Sequence, residues 1–129
     1  MNANGGRLLV VDDGVDNRNL LSRYFGARGF EVAQAESGAA ALHMIKQERF
    51  DAVLLDIIMP EIDGIEVLKR IRESHTAADL PVIVVSGQTE GKDVTLALDL
   101  GANDYIIKPI DFVAAWVKLQ RALNPRSAR

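Results

Sequence analysis

Cysteine is absent from the 129-residue chain, which excludes disulfide scaffolds, thiol nucleophiles and cysteine-ligated zinc. Histidine is nearly so: His43 and His75 lie far apart and offer no imidazole metal site. No apolar run approaches the ~20 residues of a membrane-spanning helix, and Met1–Arg7 lacks the apolar stretch of a secretion signal. Neither charge dominates, since 15 Lys and Arg against 18 Asp and Glu leave a net −3, which gives no global attraction to nucleic acid. Glycine-rich phosphate loops of the G-x-G-x-x-G or G-x-x-x-x-G-K-[ST] type do not occur.

What remains is the composition of an ordinary globular domain, 48% hydrophobic and 26% charged, which excludes disorder and collagen-like repeats. A chain of this length buries enough surface to fold without cross-links. The expectation is one soluble, cytoplasmic domain over residues 7–123, with short tails at 1–6 and 124–129, partnered by neither membrane nor nucleic acid.

Apolar runs alternate with helical patterns along the whole chain. Leu8–Val11, Val53–Leu55, Val82–Val85 and Tyr105–Ile107 read as strands, with a weaker one at Phe30–Ala33. The first three are continuously apolar, as parallel strands covered on both faces are. Between them lie helix signals. Asp16 is the expected cap of a helix carrying Leu20, Leu21, Tyr24 and Phe25 on one face, with Gly29 beyond its end. Ser37 caps Gly38–Gln47, and Asp63 with Glu66 forms a capping box ahead of Val67, Leu68 and Ile71. Thr89 precedes Val94, Ala97 and Leu98, with Gly101 as the stop. Asp111 caps a last helix with Phe112, Trp116, Leu119 and Leu123 on a stripe, and Pro125 ends regular structure. Five such βα units predict an α/β fold: an open, doubly wound, five-stranded parallel sheet with five helices.

In such sheets ligands bind beyond the carboxyl ends of the strands. There the chain places Asp12 and Asp13 after the first strand, Asp56 after the third, Ser86-Gly87 after the fourth and Lys108-Pro109 after the fifth. Each alone has a structural reading: a helix cap, a turn aspartate, a loop serine, a solvated lysine. Their coincidence at one edge does not. Two carboxylates ~4 Å apart repel by roughly 4 kcal/mol at an effective dielectric near 20. Three call for a counter-charge, and Mg²⁺ suits a few carboxylates together with water and a phosphoryl oxygen.

These motifs resemble the receiver domain of bacterial two-component response regulators. The resemblance runs from about Arg7 to Leu123. Its motifs are Leu9-Val10-Val11-Asp12-Asp13, Leu54-Leu55-Asp56 with Met59-Pro60 and Asp63-Gly64, Val84-Val85-Ser86-Gly87, and Gly101-Ala102-Asn103-Asp104-Tyr105 through Lys108-Pro109. It implies a flavodoxin-like strand order 2-1-3-4-5. It further implies Asp56 as phosphoacceptor, Asp13 and Asp56 as direct Mg²⁺ ligands with the Ile58 carbonyl, and Asp12 acting through metal-bound water. Ser86 would hold a phosphoryl oxygen, Lys108 would pair with Asp56 and then with the phosphate, and the Lys108–Pro109 bond would be cis. A sensor histidine kinase or phosphotransfer protein would be the donor. Ser86 and Tyr105 would switch the helix 4–strand 5–helix 5 surface toward an output partner or homodimer. On this reading the chain is a phosphoaccepting signalling domain rather than an enzyme, apart from self-catalysed phosphotransfer and slow self-dephosphorylation.

Two positions depart from the usual pattern. Gly14 stands where a bulkier residue is frequent and is expected to loosen the acidic loop. Ile58 cannot orient an attacking water, so the phosphoryl group is expected to last, although Gln88 offers a polar contact from the other side. No helix-turn-helix or cyclase segment follows Leu123 within this sequence, so the chain is expected either to act by docking or to be a piece of a larger regulator. The alternatives are weaker. A haloacid-dehalogenase-type phosphatase needs a second aspartate where Ile58 stands, and a flavin-binding reading has only the fold behind it. A phosphorylation-independent docking module would typically have lost an acidic residue or the lysine, and all are present.

Overall fold

The computed structural model describes residues 6–59, 63–87 and 91–124. Ten elements alternate: β1 (Gly6–Val11), α1 (Val15–Gly26), β2 (Phe30–Ala35), α2 (Gly38–Gln47), β3 (Ala52–Asp56), α3 (Gly64–Ser74), β4 (Val82–Ser86), α4 (Gly91–Asp99), β5 (Asp104–Ile107) and α5 (Phe112–Leu123). The strands form one parallel sheet in the order β2-β1-β3-β4-β5.

The continuously apolar strands divide their side chains by pleat. Leu9, Val11, Val53, Leu55, Val82 and Val84 face one core, closed by Ala41 and Ile45 of α2, Val67, Leu68 and Ile71 of α3, and Ala97 of α4. Leu8, Val10, Ala52, Leu54, Ile83 and Val85 face the other, closed by Leu21 and Phe25 of α1 and Ala115 and Leu119 of α5. Most of the aromatic residues gather on this second face. Trp116 stacks on Phe25 with centroids 6.3 Å apart and meets Phe30 edge-on at 5.9 Å, so the single tryptophan belongs to packing.

Local signals behave as their chemistry dictates, with instructive exceptions. Ser37 accepts the Ala40 amide, Asp63 the Glu66 amide and Asp111 the Ala114 amide, three side-chain caps at the expected helix starts. The box at α3 is only half made, because the Glu66 carboxylate pairs with Arg70 at 3.1 Å instead of reaching back. Asp16 is not the cap of α1. The Arg18 amide already bonds to the Gly14 carbonyl at 3.0 Å, so the helix begins two residues earlier and Asp16 falls in its first turn. There its charge still complements the helix dipole. Leu20 and Leu98, expected on buried faces, are 52% and 40% exposed. Gly101, at φ +107°, ends α4 as expected: the Ala102 amide bonds back to the Ala97 carbonyl at 2.9 Å, a closure that needs the left-handed backbone glycine tolerates. The expected cap Thr89, together with Pro60, Gln88 and Pro125, lies outside the described residues. β2 runs two residues further than its apolar stretch, to Ala35, because Val11 pairs with it. β5 begins one residue early, at Asp104.

Candidate functional site

Parallel register aligns the strand ends. Val11 lies beside Leu55, Asp56 beside Val85 and Ser86 beside Ile107, so the residues that follow emerge along one edge. Among the described residues Asp12, Asp56 and Ser86 are the only polar or charged residues buried as a whole, and all three are at that edge. Burial of a carboxylate is costly unless the group is paired and hydrogen-bonded.

The carboxylates of Asp12, Asp13 and Asp56 converge, with one oxygen from each lying within 4.8 Å of the others. Asp56 forms the floor. Its Oδ2 accepts from Lys108 Nζ at 3.2 Å, and its Oδ1 accepts the Ile58 amide at 3.2 Å. Burial pushes the Asp56 carboxyl above the ordinary range of aspartate, and the Asp12 charge adds to this; Lys108 and the Ile58 amide pull it back only in part. Asp12 is tied into its loop by an Asx turn, its Oδ1 accepting the Gly14 amide at 2.8 Å. Asp13 stands exposed above the pair.

The rim is built from β4 and β5. The Ser86 hydroxyl donates to the Gly87 carbonyl at 3.0 Å, and the Lys108 amide donates to the Ser86 carbonyl at 2.7 Å, which joins the two strand ends. The Lys108–Pro109 peptide is cis, as expected. Ile58 projects outward, 52% exposed. Tyr105 is half-buried on the edge strand, its ring under Lys118 Nζ at 4.3 Å. Neither histidine approaches the site: His43 is exposed along α2, and His75 caps the far end of α3.

All the side chains expected at the strand ends are therefore brought together, with Tyr105 one strand-length away on the edge. Three contributors were not foreseen. Arg18 donates to the Asp12 carbonyl, Lys118 holds Tyr105, and Arg72 ties the turn after α4 to α3. Gly64 presses its backbone against β3, where a Cβ would collide with the Asp56 carbonyl oxygen and Ile57 Cα. Gly64, by contrast, already stood in the Asp63-Gly64 motif, a poor helix former placed directly after a cap.

Oxygen donors alone, three of them anionic and grouped with a lysine, make a donor set that fits a hard divalent cation such as Mg²⁺ rather than a softer metal. The sheet order, the buried acidic edge and the lysine define a flavodoxin-like domain of the two-component signalling class. Residues 8–119 match the response regulator receiver domain family, and the chain belongs to that family, a signalling domain of two-component systems. Among curated relatives it is 42% identical over 123 residues to the regulatory protein AtoC of Escherichia coli, covering 95% of this chain and 26% of that protein. It is 38% identical over 125 residues to the response regulator MprA of Mycobacterium tuberculosis, covering 95% and 54%. The chain thus spans between a quarter and about half of the length of these relatives. Among solved structures, a response regulator receiver domain protein from Clostridium thermocellum superposes with a TM-score of 0.87 at 25% identity, over 95% of this chain and 98% of that one. The receiver domain of NtrX from Brucella abortus gives 0.85 at 32% identity, over 91% and 98%. No helix among the described residues is long and apolar enough to cross a membrane.

Proposed function

We propose that the chain accepts a phosphoryl group on Asp56 from the phosphohistidine of a cytoplasmic sensor histidine kinase or phosphotransfer protein. The observation that carries this is the convergence of the Asp12 and Asp13 carboxylates on the buried Asp56, which is already paired with Lys108 at 3.2 Å. Asp12, Asp13 and Asp56, with the Ile58 main-chain carbonyl, would hold Mg²⁺. When bound, the ion supplies the positive charge that lets carboxylates and an incoming phosphoryl group share one site.

The remaining chemistry belongs to the chain. An Asp56 carboxylate oxygen attacks phosphorus in line as the P–N bond to the donor imidazole breaks, and the bonding pair stays on that nitrogen. The products are an aspartyl phosphate and the free histidine. A loose transition state asks mainly for positioning and charge neutralisation, and an ionised carboxylate needs no general base. Lys108 passes from Asp56 to a phosphoryl oxygen, and the Ser86 hydroxyl turns from the Gly87 carbonyl to another. Its departure leaves room that Tyr105 fills from β5. The face formed by α4, β5 and α5 then docks an output partner or a second copy. A shift from 1:99 to 99:1 requires about 5.5 kcal/mol of differential binding, so a partial shift is the expected response.

Treatment with acetyl phosphate and Mg²⁺, read by intact mass beside Asp56→Asn, tests this. A gain of one phosphoryl mass in the native chain alone is expected. Equal gain in both removes Asp56 from the role. No gain from acetyl phosphate or from a phosphorylated kinase, with the cation still bound, assigns the chain to phosphorylation-independent docking.

A further inference from the structure

Arg18 sits in the first turn of α1, where an arginine ordinarily points to solvent. Here it turns back over the strand end. Its Nη1 donates to the main-chain carbonyl of Asp12 at 2.8 Å, and its Nε donates to the Gln34 amide oxygen at 3.1 Å. Gln34 lies on β2, beside Val10 of β1, and is itself steadied by Asn19 Oδ1 at 3.3 Å. Both acceptors are neutral, so the guanidinium does not compete for the carboxylate oxygens. Asp12 is thereby held by three bonds: its amide to the Ala35 carbonyl, its carbonyl from Arg18, and its Oδ1 from the Gly14 amide.

The carbonyl matters because it belongs to the peptide plane joining Asp12 to Asp13. Fixing that plane fixes the direction in which the exposed Asp13 side chain leaves the loop. The following residue, Gly14, contributes no side chain to stiffen it and caps α1 without a side-chain bond. We propose that Arg18, oriented by Gln34, is a positioning residue that sets the Asp12–Asp13 peptide for divalent-cation binding. This rests on the reading that Asp12, Asp13 and Asp56 hold Mg²⁺.

Partners that orient metal ligands are typically worth about 10- to 100-fold in affinity. Mn²⁺ titration of the full chain, followed by electron paramagnetic resonance, is the direct test, alongside amide hydrogen exchange at Gly14. Arg18→Met is expected to weaken Mn²⁺ binding about tenfold and to speed Gly14 exchange, while core amides in β1 and β3 keep their protection. Gln34→Leu, at an exposed position, produces a smaller loss in the same direction and stands in should Arg18→Met fold poorly. Arg18→Lys keeps the charge but cannot bridge two acceptors, so it recovers only a minor part of the affinity. Full recovery by lysine would show that charge alone acts and would overturn the proposal. So would unchanged Mn²⁺ affinity in Arg18→Met and Gln34→Leu. Failure of the native chain to bind Mn²⁺ at all would instead bring down the cation reading on which the proposal stands.

Discussion

Lys118 of α5 reaches round the edge of the sheet to Tyr105. Its ammonium donates to the Tyr105 carbonyl at 2.6 Å, lies 4.3 Å from the centre of the ring, and pairs with Asp104 at 3.5 Å. One side chain therefore binds both the main chain and the ring of the aromatic residue whose rotation the proposed switch requires. Cation–π and hydrogen-bond contributions of this kind are worth about 1 kcal/mol each. Lys118→Met is expected to release the ring and cost about 1–2 kcal/mol, with Lys118→Arg close to the native chain. The chain has two tyrosines, so 3-fluorotyrosine labelling gives two fluorine resonances, and Tyr24→Phe assigns them. The Tyr105 signal should shift in Lys118→Met; an unmoved signal would show that Lys118 does not hold the ring.

Arg72 makes a dense set of bonds at the amino ends of β4 and β5. It donates to the carbonyls of Gly101 at 2.9 Å and Leu80 at 2.9 Å, and to Asn103 Oδ1 at 3.0 Å, so one guanidinium joins the ends of α3 and α4 to the starts of β4 and β5. Burial lowers the proton affinity of the guanidinium. Arg72→Met should cost about 2–3 kcal/mol in urea unfolding, because it strands partly buried acceptors. Arg72→Lys should restore little, since a single ammonium cannot span them.

Gly64 is the first residue of α3, and its amide donates to the Ile57 carbonyl at 2.7 Å. An added Cβ would strike backbone at the end of β3 rather than a side chain able to move. Gly64→Ala should cost about 1–3 kcal/mol and also weaken cation binding, because the displaced atoms carry Asp56. Equal stability and equal Mn²⁺ affinity would show that the strand end yields without consequence.

Asp56 links stability to pH. Its carboxyl titrates above the ordinary aspartate range in the fold and within that range in the unfolded chain, so the folded state holds the proton more tightly. That contribution is complete below the ordinary range and is lost as pH rises through the elevated value. In metal-free buffer Asp56→Asn should therefore be more stable than the native chain near neutrality and lose its advantage toward about pH 3. Denaturation across that interval measures the crossing; a constant difference would remove the linkage.

Ile58 bears on phosphoryl lifetime. Exposed and apolar beside Asp56, it cannot align a water for attack on an acyl phosphate. Ile58→Asn is expected to shorten the lifetime of the phosphorylated chain several-fold, followed by loss of the phosphoryl mass. Decay of the native phosphorylated chain within seconds would contradict the role given to this position.

The alternation of apolar runs and capped helices was legible because its causes are local. Strands buried on both faces must be apolar throughout, and Ser37, Asp63 and Asp111 cap because their oxygens accept amides three residues on. Asp16 misled for a complementary reason: a cap is chosen by where the strand releases the chain, and here Gly14 was already in place. The acidic edge could be read from residue type and position at the strand ends.

The sequence by itself determined the α/β class, the element order and the identity of the charged residues at the carboxyl edge. It did not determine which core each helix closes, since strands apolar on both faces carry no mark distinguishing one side from the other. Nor did it reveal Arg18, Arg72 or Lys118. Each of these binds main-chain carbonyls, and because every residue has one, only the tertiary structure decides which of them an arginine or lysine meets.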